Sequence, residues 1–143
     1  MINRVIKEAE KWVGYLEKAS DYKLSSLTAN AGSNNYTYFS EWYKKMGYGN
    51  YQAQPWCAIF VSYVFGNSIN NSEKVMAHFH YCPTGVNQFK AMQSFYTSAP
   101  KTGDIIFFKN SSGLAVHTGI VYNVDASKVY TIEGNTSSAE GVI

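Results

Sequence analysis

The stretch PWCAIFVSYVFG, residues 55–66, constrains this chain more than any other. It holds no charge, and from Ala58 to Phe65 it is apolar apart from Ser62 and the hydroxyl of Tyr63. A helix that is apolar all round has to be enclosed on every side, so the remaining sequence must build a shell around it. The run is well short of the roughly 18 apolar residues of a membrane span. Pro55 suits the first turn of a helix, and Gly66 is expected to stop it.

The shell is legible in part. Ile2, Val5, Ile6, Ala9, Trp12, Val13 and Leu16 recur at helical spacing between charged residues, which predicts an amphipathic helix over residues 2–18. Residues 20–37 are polar and read as a loop. Phe39, Trp42, Tyr43 and Met46 predict a short second helix ended by Gly47 and Gly49. Residues 67–84 read as irregular, and Val86 to Phe95 as another short helix. Beyond Pro100 the texture changes: GDIIFFK, HTGIVYNV and KVYTIEG are β-rich runs separated by turn residues, an antiparallel meander. Helices first and strands afterwards imply an α+β fold, with helices packed on the meander and no internal repeat or linker.

At 143 residues, 45% hydrophobic, one core is affordable without a metal or disulfide staple. Only 15% of residues are charged, so the surface must draw on Asn, Ser, Thr, Gln and the 12 Tyr. Such a surface suits uncharged polar polymers such as glycans and peptides. The net charge of +2, dispersed along the chain, carries no nucleic-acid footprint. The first 18 residues are interrupted by acids and bases and do not read as a signal peptide.

Two cysteines exclude a disulfide-rich scaffold and direct attention to Cys57, at the start of the apolar helix. An isolated cysteine is more often a small buried hydrophobe. At a helix N-terminus, however, free N–H groups and the macrodipole favour an anion, which raises the thiolate fraction a nucleophile needs. Attack on an amide also requires a group that protonates the leaving amine, and histidine titrates in the right range. Of His78, His80 and His117, the last opens the HTGIVY strand, from which a side chain can reach a neighbouring helix end. A histidine base needs an acceptor for its second nitrogen. Glu133 and Asn135, two apart and read as strand residues, share one face. Glu133 also lies among apolar neighbours, where a carboxylate needs a partner.

The blocks PWCAIFVSYVF, KTGDIIFF, HTGIVY and YTIEGN resemble the CHAP domains, cysteine amidohydrolases and peptidases of bacterial peptidoglycan. These are relatives of the NlpC-type cell-wall peptidases with a papain-like core, and the likeness runs over about residues 2–143. The resemblance implies Cys57 as nucleophile, His117 as general base and acid, Glu133 as its orienting partner and Asn135 completing the set. Gly103 and Asp104 match the family's turn into the first strand. The implied function is cleavage of a wall amide, as a stem or cross-bridge endopeptidase or an N-acetylmuramoyl-L-alanine amidase, through a thioester. A phage lysin domain needs no signal peptide of its own when a membrane pore releases it. Such a domain is expected to act as a monomer at the wall, without cofactor, membrane or nucleic acid.

The backbone N–H of Cys57 and the side chain of Gln54 are the candidate oxyanion donors, with Gln52 and Tyr51 as alternatives to Gln54. Trp56, Tyr51 and Tyr38 are candidate groove aromatics. CHAP domains usually continue past the EGN segment, so a single domain over residues 1–143 is expected to end early and leave a sheet edge unpaired. His78, His80 and Cys82 would face one side of a strand, but a structural zinc site wants a fourth ligand. The Asn- and Ser-rich loop before the Cys helix lacks the charge that calcium affinity follows, so no metal is expected. A Cys57–Cys82 disulfide would disable the nucleophile. Two other classes stand beside the wall hydrolase: a non-catalytic wall-binding module on the same fold, and an amidohydrolase acting on proteins.

Overall fold

The computed structural model describes residues 1–136 and 141–143. Its order is α1 (Ile2–Glu10), α2 (Tyr38–Lys45), α3 (Cys57–Ser68), a single 3₁₀ turn (Ser72–Lys74), α4 (Cys82–Ala91), then β1 (Ile105–Lys109), β2 (Ala115–Val124) and β3 (Val129–Ile132). The strands form one antiparallel sheet in the order β1-β2-β3, the expected meander. The fold is mixed α+β, compatible with a papain-like arrangement.

α3 is the centre of the molecule. Every residue from Cys57 to Phe65 is buried, Ser62 included, because its hydroxyl donates to the carbonyl of Phe79 and accepts from the Phe79 N–H. Val5 and Ala9 of α1, Phe39 and Tyr43 of α2, and Ile120 and Ile132 of the sheet close around it. Each large apolar side chain so buried contributes about 1.5–3 kcal/mol, relative to exposure.

Three boundaries depart from the sequence reading. α1 stops at Glu10 rather than residue 18, and the chain then turns through Gly14, at φ +93°. The reason is tertiary: Gly14 donates to Val142 and Val142 to Tyr15, so residues that continue the helical pattern are claimed by the end of the chain. Gly66 does not stop α3 but lies inside it, and a Cβ there would come within 2.6 Å of the Trp42 ring. α4 begins four residues earlier than expected, with Cys82 first and Pro83 in its opening turn.

Among the described residues, β3 pairs on one side only, with β2, and further pairing begins at Glu133, just beyond it. Ile143 and Glu133 exchange backbone hydrogen bonds at 2.8 and 3.0 Å, while Val142 pairs on its other side with residues 14 and 15. The last residues thus pin the backbone of Glu133.

Candidate active site

Cys57 is the first residue of α3, and its sulfur is buried at the junction of α3, α4 and β2. His117 reaches it from β2, where it sits opposite Phe108 of β1. The Nε2 of His117 lies 2.8 Å from Oε1 of Glu133. A carboxylate only accepts, so Nε2 carries the proton and Nδ1 is left for the thiol. Glu133 stands one residue beyond β3 and is held in turn by the hydroxyls of Thr131 and Thr136, the latter at 3.1 Å.

The electrostatics follow from these contacts. The hydrogen-bond contact with Cys82 pulls the Cys57 thiol below its ordinary range; burial opposes this, and His117 and the Thr118 N–H add to it. His117 is raised to about 9 by its hydrogen bonds to Cys57 and Glu133, against its burial. Glu133 is lowered, first by its hydrogen bond to His117. The arrangement favours a thiolate beside an imidazolium at neutral pH.

The remaining expected residues are distributed differently. Asn135 is not on the strand face that Glu133 was expected to share. The strand ends at Ile132, and Asn135 takes a left-handed turn conformation at φ +54°. The described hydrogen bonds do not link it to His117. Trp56 is a core residue rather than a groove aromatic: it is fully buried, stacked on Phe39 at 5.6 Å, and its indole donates to Glu17 at 3.3 Å. Tyr38 is stacked on Trp12 and set edge-on to Tyr63, six residues along α3 from Cys57, roughly 9 Å. Tyr51 is half-buried and stacked at 3.7 Å on the exposed His80.

Among the oxyanion candidates, the Cys57 N–H, at the first position of α3, has no intrahelical acceptor. The Gln52 side chain is engaged at both ends, accepting from Thr37 N–H and donating to Thr37 C=O. Gln54 is exposed. His78 uses both ring nitrogens, on Ser72 and Tyr48, and Cys82 belongs to α4, so the HFHYC segment does not form the one-sided strand a zinc site needed. A depression lined by Arg4, Lys7, Lys11 and Asn67 lies at the other end of α3 from Cys57.

Sequence reasoning missed the roles of Gly119, Thr131 and Thr136, and weighed Cys82 only as a disulfide partner or metal ligand. Gly119, two residues after His117, lies beneath Glu133: a Cβ there would stand 2.5 Å from Glu133 Cγ. Its signal was the bare HTG triplet, in which a strand glycine marks close approach of another group. Thr131 and Thr136 flank Glu133, and only the fold shows that both hydroxyls turn to it. Cys82 lies 3.9 Å from Cys57, sulfur to sulfur, both reduced. Pro83 directly after it was a helix-start signal.

A buried thiol at a helix N-terminus, facing an imidazole that a carboxylate holds from a neighbouring sheet, fits the class of papain-like cysteine hydrolases. The chain belongs to the CHAP domain family, whose model matches residues 47–135. Such domains are cysteine- and histidine-dependent amidohydrolases with peptidoglycan hydrolase-type amidase or peptidase activity. The match covers both Cys57 and the His117–Glu133 pair. No curated protein and no solved structure matches the chain. Among the described residues, no helix is long and apolar enough to cross a membrane.

Proposed function

We propose that this chain cleaves an amide bond of bacterial peptidoglycan, with Cys57 as nucleophile, His117 as general base and acid, and Glu133 as its orienting partner. The observation that carries this reading is the 2.8 Å contact between His117 and Glu133, which leaves the other ring nitrogen for the buried Cys57 thiol. The Cys57 thiolate attacks the carbonyl, and the developing oxyanion is met by the Cys57 N–H, with Gln54 as the proposed side-chain donor. The imidazolium of His117 protonates the departing amine. Neutral His117 then takes a proton from water, which attacks the thioester and releases the acid, returning the thiolate.

Asn135 has no assigned step in this reading, and its turn conformation favours a backbone role beside Glu133. Tyr51 and His80 form the proposed aromatic rim of the groove, where a sugar or peptide can stack. We further propose that residues 1–143 act as one monomeric catalytic domain of phage-lysin type, at the wall and without a cofactor. The engaged thiol and histidine favour hydrolysis over a wall-binding module, since binding needs no thiolate.

The test is mass spectrometry of soluble fragments released from purified walls by wild type and by Cys57→Ala. Free lactyl groups with new alanine N-termini identify an amidase, and free termini within the stem or cross-bridge an endopeptidase. Release of the same fragments by Cys57→Ala sinks the proposal, as does release by neither protein.

A further inference from the structure

The helices α3 and α4 begin at cysteines, and those two N-termini point their first residues at each other. The sulfurs of Cys57 and Cys82 are 3.9 Å apart and both buried. A thiol at this separation is either a packing neighbour or a donor. The surroundings separate the two sulfurs chemically. Cys57 faces His117 from β2, with Glu133 behind it, and the Thr118 N–H; among the described residues, Cys82 is acted on by Cys57, and burial raises it further. A second negative charge 3.9 Å from the first in a buried site is strongly disfavoured. One sulfur therefore ionises, and it is the one beside the imidazolium.

We propose that Cys82 is a positioning residue for the nucleophile: its S–H donates to the Cys57 thiolate and fixes the sulfur at the mouth of α3. This rests on the reading of Cys57 as the nucleophile. Among the described residues, the titratable side chains acting on Cys57 are Cys82 from α4 and His117 from β2, the latter held by Glu133 beyond β3. Cys82 touches the reacting sulfur and not the substrate, so its influence falls on thiolate population and orientation. Because the donor stabilises the resting thiolate, it also tempers its reactivity: nucleophilicity falls as thiol pKa falls.

That trade gives a signature no packing role produces. A charge-assisted hydrogen bond from a weak S–H donor corresponds to about one pH unit in the thiol's titration. In Cys82→Ala the midpoint for Cys57 ionisation moves up by about that amount. The alkaline plateau, where all Cys57 is thiolate, rises about threefold at a Brønsted slope near one half. Cys82→Ser retains a donor and keeps the midpoint near wild type.

The experiment follows the rate of Cys57 alkylation by iodoacetamide against pH, located by peptide mass, in wild type, Cys82→Ala and Cys82→Ser, each checked for its thermal transition. Wall hydrolysis is measured on the same samples. An upward midpoint with a raised plateau in Cys82→Ala, restored by serine, supports the proposal. Equal midpoints in all three proteins overturn it, and so does a serine variant that behaves as alanine does. Alkylation reads Cys57 without any substrate. If the midpoint shifts while Cys57→Ala still degrades walls, the hydrolase reading fails and the thiol pair stands; the reverse outcome fails the pair alone.

Discussion

Gly119 offers the sharpest perturbation of the site, because it touches the geometry without removing any functional group. A Cβ at this position would lie 2.5 Å from Glu133 Cγ and 3.2 Å from the carbonyl oxygen of Ile132. Carbon atoms rest about 3.5–4.0 Å apart, so in Gly119→Ala the two groups must separate by about 1 Å or more. The backbone oxygen limits how far the alanine can move, so Glu133 yields. Its 2.8 Å bond to His117 then opens past hydrogen-bonding range. A displacement of this size lowers kcat/KM by about a hundredfold, near 2.7 kcal/mol of transition-state stabilisation. His117, released from one of the two contacts that raise it to about 9, titrates lower. The assay is a double-mutant cycle: kcat/KM on solubilised wall fragments for wild type, Gly119→Ala, Glu133→Ala and the double variant, with the His117 titration followed by NMR. The loss from Gly119→Ala should nearly vanish in the Glu133→Ala background. A loss that persists there, or an alanine variant with full activity and unchanged His117 titration, would refute the argument.

Three further outcomes are expected. The pH profile of kcat/KM falls above about pH 9 as His117 loses its proton; being raised in the folded state, that proton's stabilisation is complete below the ordinary histidine value and disappears as pH climbs through about 9. Glu133→Gln should bring this alkaline limb to lower pH. A hydroperoxide, itself reduced to the alcohol, should oxidise the Cys57 thiolate to a sulfenic acid; the Cys82 thiol then attacks that sulfur and the hydroxyl leaves as water, forming a disulfide. Activity is then lost together with both free thiols and returns with dithiothreitol, whereas Cys82→Ala gives no disulfide under the same treatment. Gly66→Ala should destabilise the fold by about 1–3 kcal/mol, read as a lower denaturation midpoint, because its Cβ would meet the Trp42 ring at 2.6 Å. Activity per folded molecule should hold, since Gly66 is nine residues along α3 from Cys57.

What the sequence revealed was what local patterning controls. The nearly all-apolar run marked α3 as the core, and short β-rich runs set off by turn residues marked the meander, because burial on one or all sides writes itself into residue order. The candidates Cys57, His117 and Glu133 were readable for a related reason: Cys57 opens α3, His117 is the third residue of β2 rather than its first, and Glu133 lies one beyond β3, places where a side chain is presented to a neighbour. The end of α1 was not readable, because its helical pattern continues and is interrupted by distant pairing, of Gly14 and Tyr15 with Val142, Leu16 with Leu27 and Lys18 with Tyr36. Gly66 read as a stop when its missing side chain in fact accommodates Trp42. Asn135 was placed by period-two alternation that the strand does not sustain past Ile132. Trp56 and Tyr38 carried no sign of which side they face, and both went into the aromatic packing around Phe39 and Tyr63. The meeting of Cys57 and Cys82, 25 residues apart, depends on how α4 docks against the start of α3.

The central claim is that hydrolysis passes through a bond to the Cys57 sulfur. Its most direct measurement is the mass of the Cys57 peptide after acid quench during turnover on solubilised peptidoglycan fragments, in wild type beside Cys57→Ala. A hydroxylamine-labile acyl adduct on Cys57 is expected in wild type, with no turnover in the variant. Undiminished hydrolysis by Cys57→Ala would contradict the account.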